Sequence, residues 1–92
     1  MILYYDKQGK PVEFIDYARL FEDTEYRRIG LHESNGVEVS TVWLGLDHRL
    51  SGDKPLIFET MVFGGKNDGY QQRYSTLKEA QTGHKKAVKR YL

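Results

Sequence analysis

Two residues, Asn35-Gly36, constrain this chain more than any others. They form the strongest short-range hairpin signal, because both central positions of a tight β-turn take positive φ. The runs on either side fit strands. Tyr26 to Glu33 alternates, and Val37 to Leu46 is rich in β-branched residues. A two-residue turn pairs Ser34 with Val37, His32 with Val39, Gly30 with Thr41 and Arg28 with Trp43. That register predicts a core face of Ile29, Leu31, Val42 and Leu44. It predicts a mixed face of Arg28, His32, Val39, Thr41 and Trp43. A one-residue bulge shifts the register and moves side chains to the other face.

The other elements follow from period and punctuation. Ile2-Leu3-Tyr4-Tyr5 reads as a short strand, and Asp6 to Pro11 as a turn. Phe14, Tyr17, Ala18, Leu20 and Phe21 have helical spacing, and the acids Glu22, Asp23 and Glu25 oppose its C-terminus. Asp47 to Lys54 is a polar loop, Pro55 to Phe63 a long strand and Gly64 to Gly69 a glycine-rich turn. Tyr70 to Tyr74 reads as a further strand. Thr76-x-x-Glu79 is a capping box before a stripe of Leu77, Ala80, His84, Ala87, Val88 and Tyr91. Gly83 inside that stripe costs about 1 kcal/mol against Ala, which points to close approach of helix and sheet. The expectation is one α+β domain over residues 1–92. Its order is strand, helix, four strands, helix, with an antiparallel sheet of four to five strands and helices packed on one face.

Composition excludes several functions. Ninety-two residues make one small domain. With no cysteine, a disulfide scaffold, a thiolate metal site and a cysteine nucleophile are excluded. A net charge of +1 argues against a nucleic-acid coat, although the last helix carries five cations against Glu79. No apolar run approaches the ~18 residues of a membrane span. The chain therefore reads as a reduced, cytoplasmic protein that begins at its own Met1, with no signal peptide.

Candidate chemistry is sparse. Asp47-His48 suggests an oriented general base, but neighbours in extended chain diverge and no nucleophile is marked. Glu59 stands mid-strand among apolar residues, where a salt bridge to a neighbouring strand satisfies it. His32, His48 and His84 lack metal-ligand spacing, so no metal and no cofactor are expected. His84 reads as a core-edge histidine with a satisfied hydrogen bond. Gly64-Gly65-Lys66 lacks the pattern of a phosphate loop. The mixed face remains. Arg28 opposite Trp43 offers a stacking platform with a fixed charge, and Tyr26, Arg73 and Tyr74 add to it. The expected ligand-binding set is Tyr26, Arg28, Trp43, His48, Arg73 and Tyr74.

Long stretches of the chain also resemble a known family. They are Leu3 to Asp6, Tyr26-Arg27-Arg28, Val39 to His48, Pro55 to Gly65, Arg73 to Thr76 and Ala80 to His84. Together they resemble a family of small tailed-phage and prophage proteins. The family supplies no catalytic residues to carry over. The resemblance implies a phage-encoded accessory protein acting in the bacterial cytoplasm. Taken with the stacking and guanidinium groups, the leading expectation is a non-enzymatic binding module that sequesters a nucleotide immune signal to counter host defence. The implied partner is a nucleotide, a cyclic nucleotide or a host protein, and self-association stays open. A protein–protein inhibitor or small structural factor, using the sheet edge or the basic helix, is the alternative. A hydrolase built on Asp47, His48 and Glu59 is a third reading.

Overall fold

The computed structural model describes residues 3–47 and 54–92. Of the loop expected at Asp47 to Lys54, residues 48–53, His48 included, lie outside the described residues, as does Ile2. In chain order the elements begin with strands β1 (Tyr4–Tyr5) and β2 (Pro11–Val12), then helices α1 (Phe14–Glu22) and α2 (Thr24–Arg27). Strands β3 (Arg28–Ser34), β4 (Val37–Trp43), β5 (Phe58–Phe63) and β6 (Gln71–Tyr74) follow, and helix α3 (Leu77–Tyr91) closes the series. The expected α+β class with antiparallel sheets is what the chain adopts. β1 and β2 form a separate two-stranded ribbon, and β3-β4-β5-β6 form a four-stranded meander.

The turn at Asn35-Gly36 forms as expected, with φ of 52° and 79°. From it Ser34 pairs with Val37, His32 with Val39 and Gly30 with Thr41. A bulge then intervenes between Arg28 and Gly30, so Arg28 faces Val42 and not Trp43. The strand also starts later than its alternation suggests. Asp23 accepts from the Tyr26 N–H and caps α2, so Tyr26 and Arg27 are helical.

The two faces of the hairpin are opposite to the expectation. Val39, Thr41 and Trp43 are fully buried, together with Phe58, Thr60 and Val62 from β5. Leu31, expected in the core, is 42% exposed. β4 carries valines on both faces, so alternation alone could not orient it. The helices decide, because α1, α2 and α3 all pack on the Trp43 side. The bulge turns Ile29 toward that same side, where it packs against the cluster of Tyr5, Trp43, Ile57 and Phe58. A second cluster joins Val39 and Val62 to Ala87.

The capping box forms as read. Thr76 Oγ1 accepts from the Glu79 N–H at 3.1 Å, and the Glu79 carboxylate accepts from the Thr76 N–H at 3.0 Å. Among the described residues no helix is long and apolar enough to cross a membrane.

Candidate functional site

The expected ligand set does not converge. Trp43 is 0% exposed, and its indole N–H donates to the Tyr5 carbonyl at 3.0 Å. Tyr17 and Tyr26 close over the ring, with Tyr26 edge-on at 5.0 Å. No base can stack there without opening the core, so the platform reading of Trp43 is corrected. Tyr26 is half-buried, and its hydroxyl accepts from the Lys7 N–H at 2.9 Å. Burial raises its pKa.

Arg28 and Arg73 lie on the other, uncovered face of the sheet. They stand on its two edge strands, three strand spacings or roughly 14 Å apart. Arg73 is committed to Glu59 at 3.0 Å, the cross-strand ion pair expected for that carboxylate. Gln71 donates to the same carboxylate oxygen. Asp47 accepts from the Leu56 N–H at 3.3 Å, and its neighbour His48 lies outside the described residues. Of the described members of the expected set, Arg28 and Arg73 line separate depressions on the uncovered face, and Tyr74 lines a larger one on the helix side.

That surface is a groove of about 580 Å³ between α3 and β6. Its geometry follows from two periods. Every fourth residue along α3 shares one row, so Lys78, Thr82, Lys86 and Arg90 line one wall. Every second residue of the β6 segment shares one face, so Tyr70, Gln72 and Tyr74 line the other. Tyr91 closes the end, its ring 4.9 Å from that of Tyr70. The one carboxylate on the wall, Glu79, is held in the cap by the Thr76 N–H and hydroxyl. Lys78, Lys86 and Arg90 therefore dominate the field.

Gly83 sets the depth of this groove. A Cβ there would collide with the hydroxyl and ring of Tyr74, so the missing side chain is what lets the ring lie against α3. The close approach expected from a glycine in mid-helix is thus realised at Tyr74.

Below the groove runs a chain of polar side chains through the core. The Tyr74 hydroxyl donates to Thr60 Oγ1 at 3.1 Å. Thr60 and Thr41 are a cross-strand pair with their hydroxyl oxygens 2.5 Å apart. Thr41 Oγ1 lies 2.7 Å from Nδ1 of His84, and Nε2 of His84 lies 2.8 Å from Nδ1 of His32. His84 is 5% exposed, whereas His32 faces solvent. Burial lowers the His84 pKa, and positive charge on His32 lowers it further. Burial raises the Tyr74 pKa, partly offset by its bond to Thr60. Gly30 makes room for this arrangement, since a Cβ there would overlap the His84 ring.

His84 is therefore the satisfied histidine that its place on the helical stripe suggested. Its partners Thr41, Thr60 and His32 were not legible as a set. Gly30 opposite Thr41 was the available signal, because a glycine in mid-strand marks close approach of another element. The groove wall was visible only as the basic helix.

No family model matches this chain, and neither a curated protein nor a solved structure matches it. Among the described residues no group of three or more His, Asp and Glu could hold a metal ion.

Proposed function

We propose that this protein is a non-enzymatic binding module and that the α3–β6 groove takes a nucleotide-type ligand. The observation that carries this is one concave surface with Tyr70, Tyr74 and Tyr91 along its floor and end, and Lys78, Lys86 and Arg90 on one wall. Aromatic rings accept stacked bases, and cations on a single row meet phosphates. Along the helix Lys86 and Arg90 are about 6 Å apart, at 1.5 Å per residue. The resemblance to phage proteins gives the reading its specific form, capture of a host nucleotide immune signal in the bacterial cytoplasm. The site differs from the hairpin face expected from the sequence, but the chemistry is the same.

The test is a thermal-shift screen against mononucleotides and linear and cyclic dinucleotides, followed by calorimetry. A ligand at 100 times its dissociation constant adds about 2.7 kcal/mol of stability, enough to resolve. Charge reversal in Lys86→Glu and Arg90→Glu should abolish binding and leave folding intact. If nothing binds the wild type at high micromolar concentration, the nucleotide reading falls.

One observation favours a second reading, a protein partner. The uncovered sheet face exposes Leu31 by 42% and Phe63 by 44%, between the charges of Arg28, Glu38 and Arg73. A protein inhibitor would use such a face, and Leu31→Asp would then abolish activity without touching the groove.

A further inference from the structure

We infer that protonation of the His32–His84 pair reverses the direction of the buried hydrogen-bond chain and turns the Tyr74 hydroxyl into a donor toward the groove. Hydrogens can be counted along the bonded neighbours of the chain. In the uncharged pair, Tyr74 donates to Thr60. Thr60 then donates to Thr41, and Thr41 to Nδ1 of His84. With Nδ1 accepting, His84 carries its hydrogen on Nε2 and donates to Nδ1 of His32.

Adding one proton removes that arrangement whichever ring holds it. If the charge sits on His84, both of its nitrogens carry hydrogens. If it sits on His32, Nδ1 of His32 donates to Nε2 of His84, and the His84 hydrogen moves to Nδ1. In both cases Nδ1 of His84 has become a donor, so Thr41 Oγ1 must accept from it. Thr41 then donates to Thr60, and Thr60 donates to the Tyr74 oxygen. The Tyr74 hydrogen, displaced from the chain, is free to meet an acceptor on the groove side. One proton has been added and every hydroxyl has turned once. A buried chain of this kind has little freedom to do otherwise, since a buried donor left unpaired loses its hydration with nothing in return.

The elements packed on the pair bring mostly neutral groups to it. β3 contributes His32 itself, and its Glu33 stands at the next register position, on the opposite face. β4 and β5 contribute the neutral Val39, Thr41, Thr60 and Val62, and β6 contributes Tyr74. On α3 the flanking cations Lys85 and Lys89 are exposed.

The decisive test needs no ligand. With Tyr74 labelled at Cζ, its carbon shift should move on acidification with the same midpoint as the His84 ring protons, below the ordinary histidine value. Tyr74→Phe assigns the signal. In Thr60→Val the His84 signal should still move with pH and the Tyr74 signal should stay flat. A wild-type Tyr74 signal that ignores the histidine titration overturns the inference, as does a signal that moves equally in Thr60→Val. If Thr60→Val does not fold, the wild-type comparison alone decides.

A second arm rests on the groove reading. Thymidylyl-thymidine, whose phosphodiester does not titrate in this range, should bind about 3- to 10-fold tighter at pH 5.5 than at pH 7.5, the worth of one added hydrogen bond. The added charge on the pair attracts the anion in every variant. The excess over that attraction should vanish in Tyr74→Phe and Thr60→Val. Equal pH dependence in all three proteins would count against the inference. Failure of the dinucleotide to bind at any pH removes the groove reading and leaves the spectroscopic result standing.

Discussion

Gly83→Ala inverts an ordinary rule of helix design. In an exposed helix interior, Ala is favoured over Gly by about 1 kcal/mol. Here the new methyl would sit on the Tyr74 hydroxyl and ring, well inside van der Waals contact. The stiffer element is α3, anchored by Ala80, His84 and Ala87, all buried. The Tyr74 ring must therefore turn out. Doing so breaks its bond to Thr60, worth about 1 kcal/mol. It also exposes the buried half of the ring, on the order of 100 Å², worth about 2.5 kcal/mol. Set against the helix gain, the net effect is a loss of roughly 2–3 kcal/mol. Urea denaturation followed by circular dichroism measures it. The informative comparison is the same substitution in a Tyr74→Ala background, where no ring is left to collide. There Gly83→Ala should stabilise by about 1 kcal/mol, a change of sign. If Gly83→Ala stabilises the wild type as well, α3 and Tyr74 do not touch, and the groove lacks the floor described for it.

Trp43→Ala should cost about 3–5 kcal/mol, because the ring is fully enclosed and its N–H is bonded; a urea midpoint within about 1 kcal/mol of wild type would restore it as a surface platform. Thr76→Ala should cost about 1 kcal/mol through loss of the capping box, and an unchanged midpoint would refute the cap. The pH dependence of stability has a definite sign. The folded chain holds His84 below its ordinary pKa of 6.5, so the unfolded chain binds more protons as acid is added. Stability from this source is complete above about pH 6.5 and falls as the pH drops through the folded value; His84→Gln should flatten that slope, and a urea midpoint that rises on acidification would contradict it.

Local signals in the sequence were reliable where one residue type has one structural use. Asn35-Gly36 made its turn, Thr76 and Glu79 made their cap, Glu59 found Arg73, and Gly83 marked a close approach. The orientation of the hairpin was not legible, for two physical reasons. β4 offers Val37, Val39 and Val42 to both faces, so its period of two is ambiguous. The bulge at Ile29 then breaks the count that would have tied β3 to β4. The candidate site depended on that orientation. With Trp43 turned inward, the aromatic and cationic chemistry moves to Lys86, Arg90 and Tyr91 of α3 and to Tyr70 just before β6. Their meeting is a tertiary fact, set by how α3 lies across β6.

The four-stranded meander has a consequence for the order of assembly. Each strand of the meander pairs only with its neighbours in sequence, so the sheet can zip from the Asn35-Gly36 turn outward by sequence-local closures, the longest spanning residues 44–57. α3 follows every strand it covers. Until it docks, Val39, Thr41, Thr60 and Val62 form a bare half-core, and His84 must travel back across 52 positions to reach His32. During synthesis the ribosome releases those strands first. For that interval the nascent sheet is adhesive on both faces, and the arrival of one amphipathic helix ends its exposure on one of them.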